Sequence, residues 1–196
     1  MNGVAFFAAL CYAAALGIFV VLHLQNPHYS PIRHAVSDYA VGPSGRLFSV
    51  YNLIGTLGAL LVAYLFFASR SPVFPSHIIT NILLMVAARV GLLLFKTDLE
   101  GEKMTTAGRL HYLFAVLNFA FAYMVIADAT PMLSSMTAAW VQILLGAIKV
   151  LAAVSLAGVV ITLLKPLRRV FGLIERVFLA SVMVWFLCAS LILALH

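Results

Sequence analysis

Charge is what this sequence has least of: 9% of its 196 residues are Asp, Glu, Lys or Arg, against ~25% in an ordinary soluble domain. With 64% hydrophobic residues and a mean hydropathy of +1.11, that scarcity excludes a water-soluble globule. Cysteine is also scarce. Cys11 and Cys188 lie in apolar runs and read as small buried hydrophobes, and two thiols make neither a disulfide framework nor a metal knuckle. There is no HxxxH or HExxH spacing, no nucleophile elbow and no phosphate-cradling glycine loop, so no ready-made metal, serine-hydrolase or nucleotide site stands out. Asp98, Glu100 and Glu102 alternate like a carboxylate loop but lack the remaining ligands of an EF-hand. Acidic residues number 6 against 12 Lys and Arg. In so apolar a chain that excess is first a topology signal, and no nucleic acid partner is expected. No basic stretch precedes the first apolar run and no small-residue cleavage site follows it, so the run is expected to persist as a membrane helix.

Long apolar runs are what the chain does have. Six of them, at 4–22, 47–68, 78–95, 110–127, 138–164 and 177–195, reach or approach the ~17–25 residues that cross hydrocarbon. The expected fold is all-α: one polytopic membrane domain over 1–196, a bundle of six transmembrane helices. Loop cations alternate sharply. Arg33, Arg46, Lys96, Lys103, Arg109, Lys165, Arg168, Arg169 and Arg176 fall in the first, third and fifth connections, and Arg70 alone falls on the other side. The positive-inside rule then places those three connections in the cytoplasm, both termini outside, and the protein in the cytoplasmic (inner) membrane. The outer connections, 69–77 and 128–137, read as plain turns. The connection 23–46 is long. Within it Ser30-Pro31 reads as a helix start and Gly42-Pro43 as a stop, with Ile32, Ala35, Val36 and Tyr39 on one face and Arg33, His34, Ser37 and Asp38 on the other. That pattern predicts a short amphipathic helix at the membrane interface. Gly55, Gly58 and Ala59 in the second helix predict close helix contact.

Several short motifs keep a fixed order along these helices. They are His34-Ala35-Val36-Ser37-Asp38-Tyr39 with Gly42, Phe95-Lys96-Thr97-Asp98, Thr106-Ala107-Gly108-Arg109-Leu110-His111, and Gly172-Leu173-Ile174-Glu175-Arg176 before an apolar helix containing Trp185. Together they resemble a prokaryotic six-helix membrane-protein family, the domain of unknown function numbered nine hundred and ninety-eight, over nearly the whole chain. That family is in turn loosely similar to eukaryotic six-helix proteins of the Frag and DRAM type, which implies a fold and a connection with lipid remodelling or autophagy, not a reaction.

The polar residues suggest where chemistry could sit. His34 and Asp38, at i and i+4 of the predicted interfacial helix, form with His111 a candidate acid/base group, and Asp98, Arg109 and Arg176 are candidate ligand contacts on the same face. The same residues would serve equally as caps and ion pairs tying loops together. No cofactor is expected; the alternatives left open are haem between His23 and His111, and a metal on His34, Asp38, Asp98 and His111. Lys149 lies roughly 16 Å and 22 Å from the two ends of its helix, too deep to reach water easily. It should face the bundle, with Asn118 and Gln142 as available polar partners, either as a ligand contact or as a tie between helices. Arg89, about 9 Å from the inner end of its helix, is expected to snorkel toward that end and meet backbone carbonyls or a lipid phosphate, with a ligand as the alternative. The inner cations should attract anionic lipid. The functional expectation is a protein that handles or modifies a lipid or amphipathic molecule at an inner-leaflet polar pocket. Two alternatives stand beside it: a small-solute or proton-coupled transporter using Lys149, and a non-catalytic subunit of a larger membrane complex or a homo-oligomer.

Overall fold

The computed structural model of the chain describes residues 2–70, 73–98 and 103–196, with the backbone alone at Lys165. Its helices are α1 (Asn2–Gln25), α2 (Gly45–Ala68), α3 (Ser76–Leu94), α4 (Thr106–Ser134), α5 (Ala139–Thr162) and α6 (Phe171–Leu195). All six are long and apolar enough to cross a membrane. Consecutive helices pack side by side and α6 closes the ring on α1. α6 also leans inward against α2 and α4, so 61% of its apolar window is buried, against 28% for α5. α5 is the most lipid-facing wall, and the seam between α4 and α5 is the loosest of the ring. Where α6 is enclosed, Tyr12 stacks on Phe186 at 5.1 Å, and Trp185 Nε1 donates to Thr130 Oγ1 at 2.9 Å. That bond satisfies the one polar atom of a fully buried indole.

Two helix ends depart from the hydropathy reading. α6 begins at Phe171, ahead of the apolar run, and takes Glu175 and Arg176 into its first turns because both charged groups find partners inside the protein. α4 continues to Ser134, straight through Pro131, where the sequence reads as a turn. A proline inside a membrane helix is tolerated when neighbours satisfy the carbonyl it leaves without a donor. That condition is met here, as described below.

The amphipathic interfacial helix is not formed. Residues 30–34 make a tight turn, with Arg33 and His34 N–H donating to Ser30 O at 3.2 and 3.0 Å, and a five-residue 3-10 helix follows at Val36–Ala40. Val36, Asp38 and Tyr39 are buried, so this segment is tucked into the end of the bundle instead of lying on the bilayer. A few residues of matching period do not nucleate an α-helix when tertiary partners for the backbone are at hand. The end of the bundle that carries this segment also carries the α3–α4 and α5–α6 connections, and is called here the cation-rich end.

Candidate functional site

The Arg176 guanidinium is the centre of a latch at that end. Its Nε donates to His23 Nε2, Nη1 donates to His34 O at 2.6 Å and Gly172 O at 2.8 Å, and Nη2 donates to Tyr39 Oη at 3.2 Å. Its cation also lies 5.7 Å from the centre of the Tyr39 ring. Next to it Glu175 Oε2 accepts from Val36 N–H at 2.7 Å, and Leu173 N–H donates to Ile32 O at 3.1 Å. Gly172 is required where the chains cross, because a Cβ there would collide with His34 O. Together these contacts stitch the 26–44 connection and the end of α1 to the start of α6. His23 Nδ1 is bonded to Phe19 O, which assigns its proton to Nδ1 and leaves both ring nitrogens engaged within the protein.

The candidate trio is not assembled. His34 precedes the 3-10 helix, accepts from Ser30 N–H on Nδ1 at 2.8 Å, and lines a surface groove with Arg33, Arg168 and Arg169. Asp38 is buried. His111 lies in α4, with Nδ1 bonded to Phe95 O at 2.8 Å, and lines a separate internal cavity. Asp98 shapes the α3–α4 connection, where its carboxylate accepts from Thr105 N–H at 2.7 Å and from the Thr105 hydroxyl at 2.9 Å. Thr105 in turn caps α4 by accepting from Gly108 N–H. Glu100 and Glu102 lie outside the described residues. Arg109 is exposed on the first turn of α4. Among the described residues no group of three or more His, Cys, Asp or Glu side chains is gathered for a metal.

The cavity, about 260 Å³, lies between α2, α3, α4, α5 and α6 near the cation-rich end, and residues 35–37 roof it. Its walls are mostly apolar, with Tyr51, Asn52, Arg89, His111, Tyr112, Asn118 and Glu175 as the larger polar groups. Arg89 is 7% exposed. Its Nε donates to Asn118 Oδ1 at 3.3 Å, and among the described residues no carboxylate lies within 4.0 Å of it. Contrary to the snorkelling expectation, its guanidinium points away from the cation-rich end. The Arg89 Cα is about 8 Å from the end of α3, whereas Gly55 and Asn118, which its nitrogens touch, lie about 15 and 18 Å into α2 and α4. The direction follows from helix geometry: side chains lean toward their helix's N-terminus, and α3 runs toward the cation-rich end. Gly55 makes room for this, since a Cβ there would overlap Nη1. Gly58, one turn on, likewise receives the Tyr12 ring, 2.9 Å from where its Cβ would be. The glycines of α2 thus admit side chains from α3 and α1 instead of a second helix backbone.

Lys149 is half-buried and outside the cavity. Its Nζ donates to Ala127 O at 3.5 Å. Ala127 is the residue whose carbonyl would accept from position 131 in an unbroken helix, and Pro131 has no N–H to give. The ammonium therefore serves the acceptor that the proline vacates. Asn118 is taken by Arg89, and Gln142 bonds Thr137 O at 2.9 Å, so neither proposed partner is used. Asp128, adjacent to Ala127, lies 3.5 Å from His77.

Sequence reasoning picked out Arg89, Asn118 and His111 but not Tyr51, Asn52 and Glu175, which share their cavity. The usable signal was the pair Glu175-Arg176 standing just before an apolar helix. The family described as "Protein of unknown function (DUF998)" matches residues 8–192. No curated protein and no solved structure matches the chain.

Proposed function

The chain belongs to that family of unknown function, and from its own geometry we propose that it binds an amphipathic molecule bearing an acidic group, with Arg89 and Asn118 holding the head and the apolar cavity wall holding hydrocarbon. The observation that carries this reading is Arg89 itself. A guanidinium at membrane depth is costly unless something neutralises it, and one in a cavity wall with a neutral partner and no carboxylate within 4.0 Å among the described residues is completed by an anionic guest. Asn118 fixes Nε and Gly55 packs against Nη1, so the guanidinium is held in one orientation in the cavity wall, where its planar donors suit an oxyanion.

In this reading the cation-rich end faces the cytoplasm, both termini lie outside, and the exposed Arg33, Arg46, Lys96, Lys103, Arg109 and Arg169 favour anionic lipid around the inner leaflet. Of the three acid/base candidates only His111 reaches the cavity, so binding, not a reaction, is the activity supported. Lys149 has a structural task and supplies nothing toward a transport role.

The test is mass spectrometry of lipid co-purifying with the wild-type protein and with Arg89→Gln. An acidic amphiphile retained by the first and lost by the second supports the reading; the same lipid content in both overturns it. A reporter fused at His196 tests the orientation, and activity confined to the cytoplasm reverses it.

A further inference from the structure

Deepening that reading, and resting on it, we infer that the guest is a single-chain carboxylic acid that enters sideways from the bilayer, through the seam between α4 and α5 into the cavity under residues 35–37. The mouth of the cavity is where its lining is exposed. Val116 on α4 is 58% exposed, and Val160 and Leu163 at the end of α5 are 60% and 55% exposed. Val36 and Phe48, on the side of α2 and the roof, are 2% and 7% exposed. These exposed residues, with Tyr112 of α4 at 36% exposure beside them, are apolar or aromatic and flank the loosest seam of the ring, between α4 and the most lipid-facing helix, α5. Access from the end of the bundle is covered. The roof is held by the Val36 N–H bond to Glu175 and, on either side of it, by the Arg176 bonds to His34 O and Tyr39 Oη.

Size and charge set the class of guest. A cavity of about 150 Å³ takes a benzene-sized molecule, so about 260 Å³ takes roughly ten non-hydrogen atoms. That is a head and the first part of one chain, with the remaining hydrocarbon lying in the seam among lipid tails. A two-chain lipid would have to pass both chains through the same opening. Arg89 is the one Lys or Arg among the described lining residues, and the carboxylate that shares the wall, Glu175, is engaged by the Val36 N–H of the roof. A monoanion is neutralised by it, whereas a phosphate monoester would bring a second negative charge into an apolar site without a partner. A planar carboxylate also matches the fork of the two Nη groups.

The experiment uses the full chain in detergent with radiolabelled palmitate, 1-hexadecanol as the same chain without charge, and dipalmitoyl phosphatidylglycerol as a two-chain monoanion. Palmitate is expected to bind one per chain, and the other two to compete at least about tenfold more weakly. Val116→Trp and Val160→Trp fill the seam with a side chain that is stable in lipid, and each is expected to weaken palmitate binding about tenfold. Val154→Trp, equally lipid-facing at 65% exposure but outside the cavity lining, should leave binding unchanged. Palmitate binding unaffected by both seam substitutions, yet lost in Arg89→Gln, overturns the sideways route and leaves the anion site standing. Phosphatidylglycerol binding as well as palmitate overturns the single-chain class alone. Hexadecanol binding as well as palmitate overturns both this inference and the reading it rests on.

Discussion

Arg89 and Arg176 are equally buried, each at 7% exposure, and they are used in opposite ways. Arg176 directs four hydrogen bonds at His23, His34 O, Gly172 O and Tyr39 Oη, all belonging to elements it holds together. Arg89 directs one, to Asn118, packs Nη1 against Gly55 and stands in the wall of a cavity. Burial does not tell these roles apart; the destination of each N–H does. A guanidinium whose donors end on backbone and aromatic groups is a fastener, and one whose donors end in a space is waiting for a ligand.

The contrast can be broken most severely at the fastener. Arg176→Met leaves His23 Nε2, His34 O and the Tyr39 hydroxyl without the donor it supplied, and should cost about 3–5 kcal/mol, seen as a collapse in accumulation and melting temperature. Arg176→Lys, a compact cation that cannot span four acceptors, should recover only part of it. Arg89→Met should do the reverse. Melting is expected to hold or rise, because an unpaired charge leaves the membrane, while binding of an acidic amphiphile falls about 10–100-fold, the loss of a charge-assisted hydrogen bond. A smaller effect belongs to Lys149→Met, which strips Ala127 O of its donor at a cost of about 1 kcal/mol and leaves ligand binding unchanged. Smallest of all is a coupling. Pro131→Ala returns an N–H to Ala127 O, so the Lys149→Met penalty in that background should shrink by about 0.5–1 kcal/mol, read from a double-mutant cycle of melting temperatures. Additive effects would show that lysine and proline act independently.

These cations also mark how much was legible in the sequence. The six helices were, because hydropathy over some twenty residues reports directly what hydrocarbon tolerates. Their ends were not, wherever a charged or helix-breaking residue is satisfied by a distant one. Glu175 and Arg176 look like loop residues until Val36 and His34 are known to face them. Pro131 looks like a turn until Lys149 is placed across from Ala127. The interfacial helix failed for a related reason, since its period was real in the sequence but its backbone found better partners in α6. The direction of Arg89 was misread from its place in the helix and is the instructive case. Helix α3 runs toward the cation-rich end, so its side chains lean inward, and the distance from that end understates how deep the guanidinium reaches.

The Arg176 latch also bears on how the protein is made. It ties the first membrane helix and the first loop to the last helix, so no chain still lacking its carboxyl-terminal segment can form it. Through most of synthesis five helices are threaded while His34 O and Val36 N–H wait for α6. Emergence of α6 then becomes the event that closes the bundle. A chain that ends short of Phe171 keeps five membrane helices but leaves the first loop without its fastening.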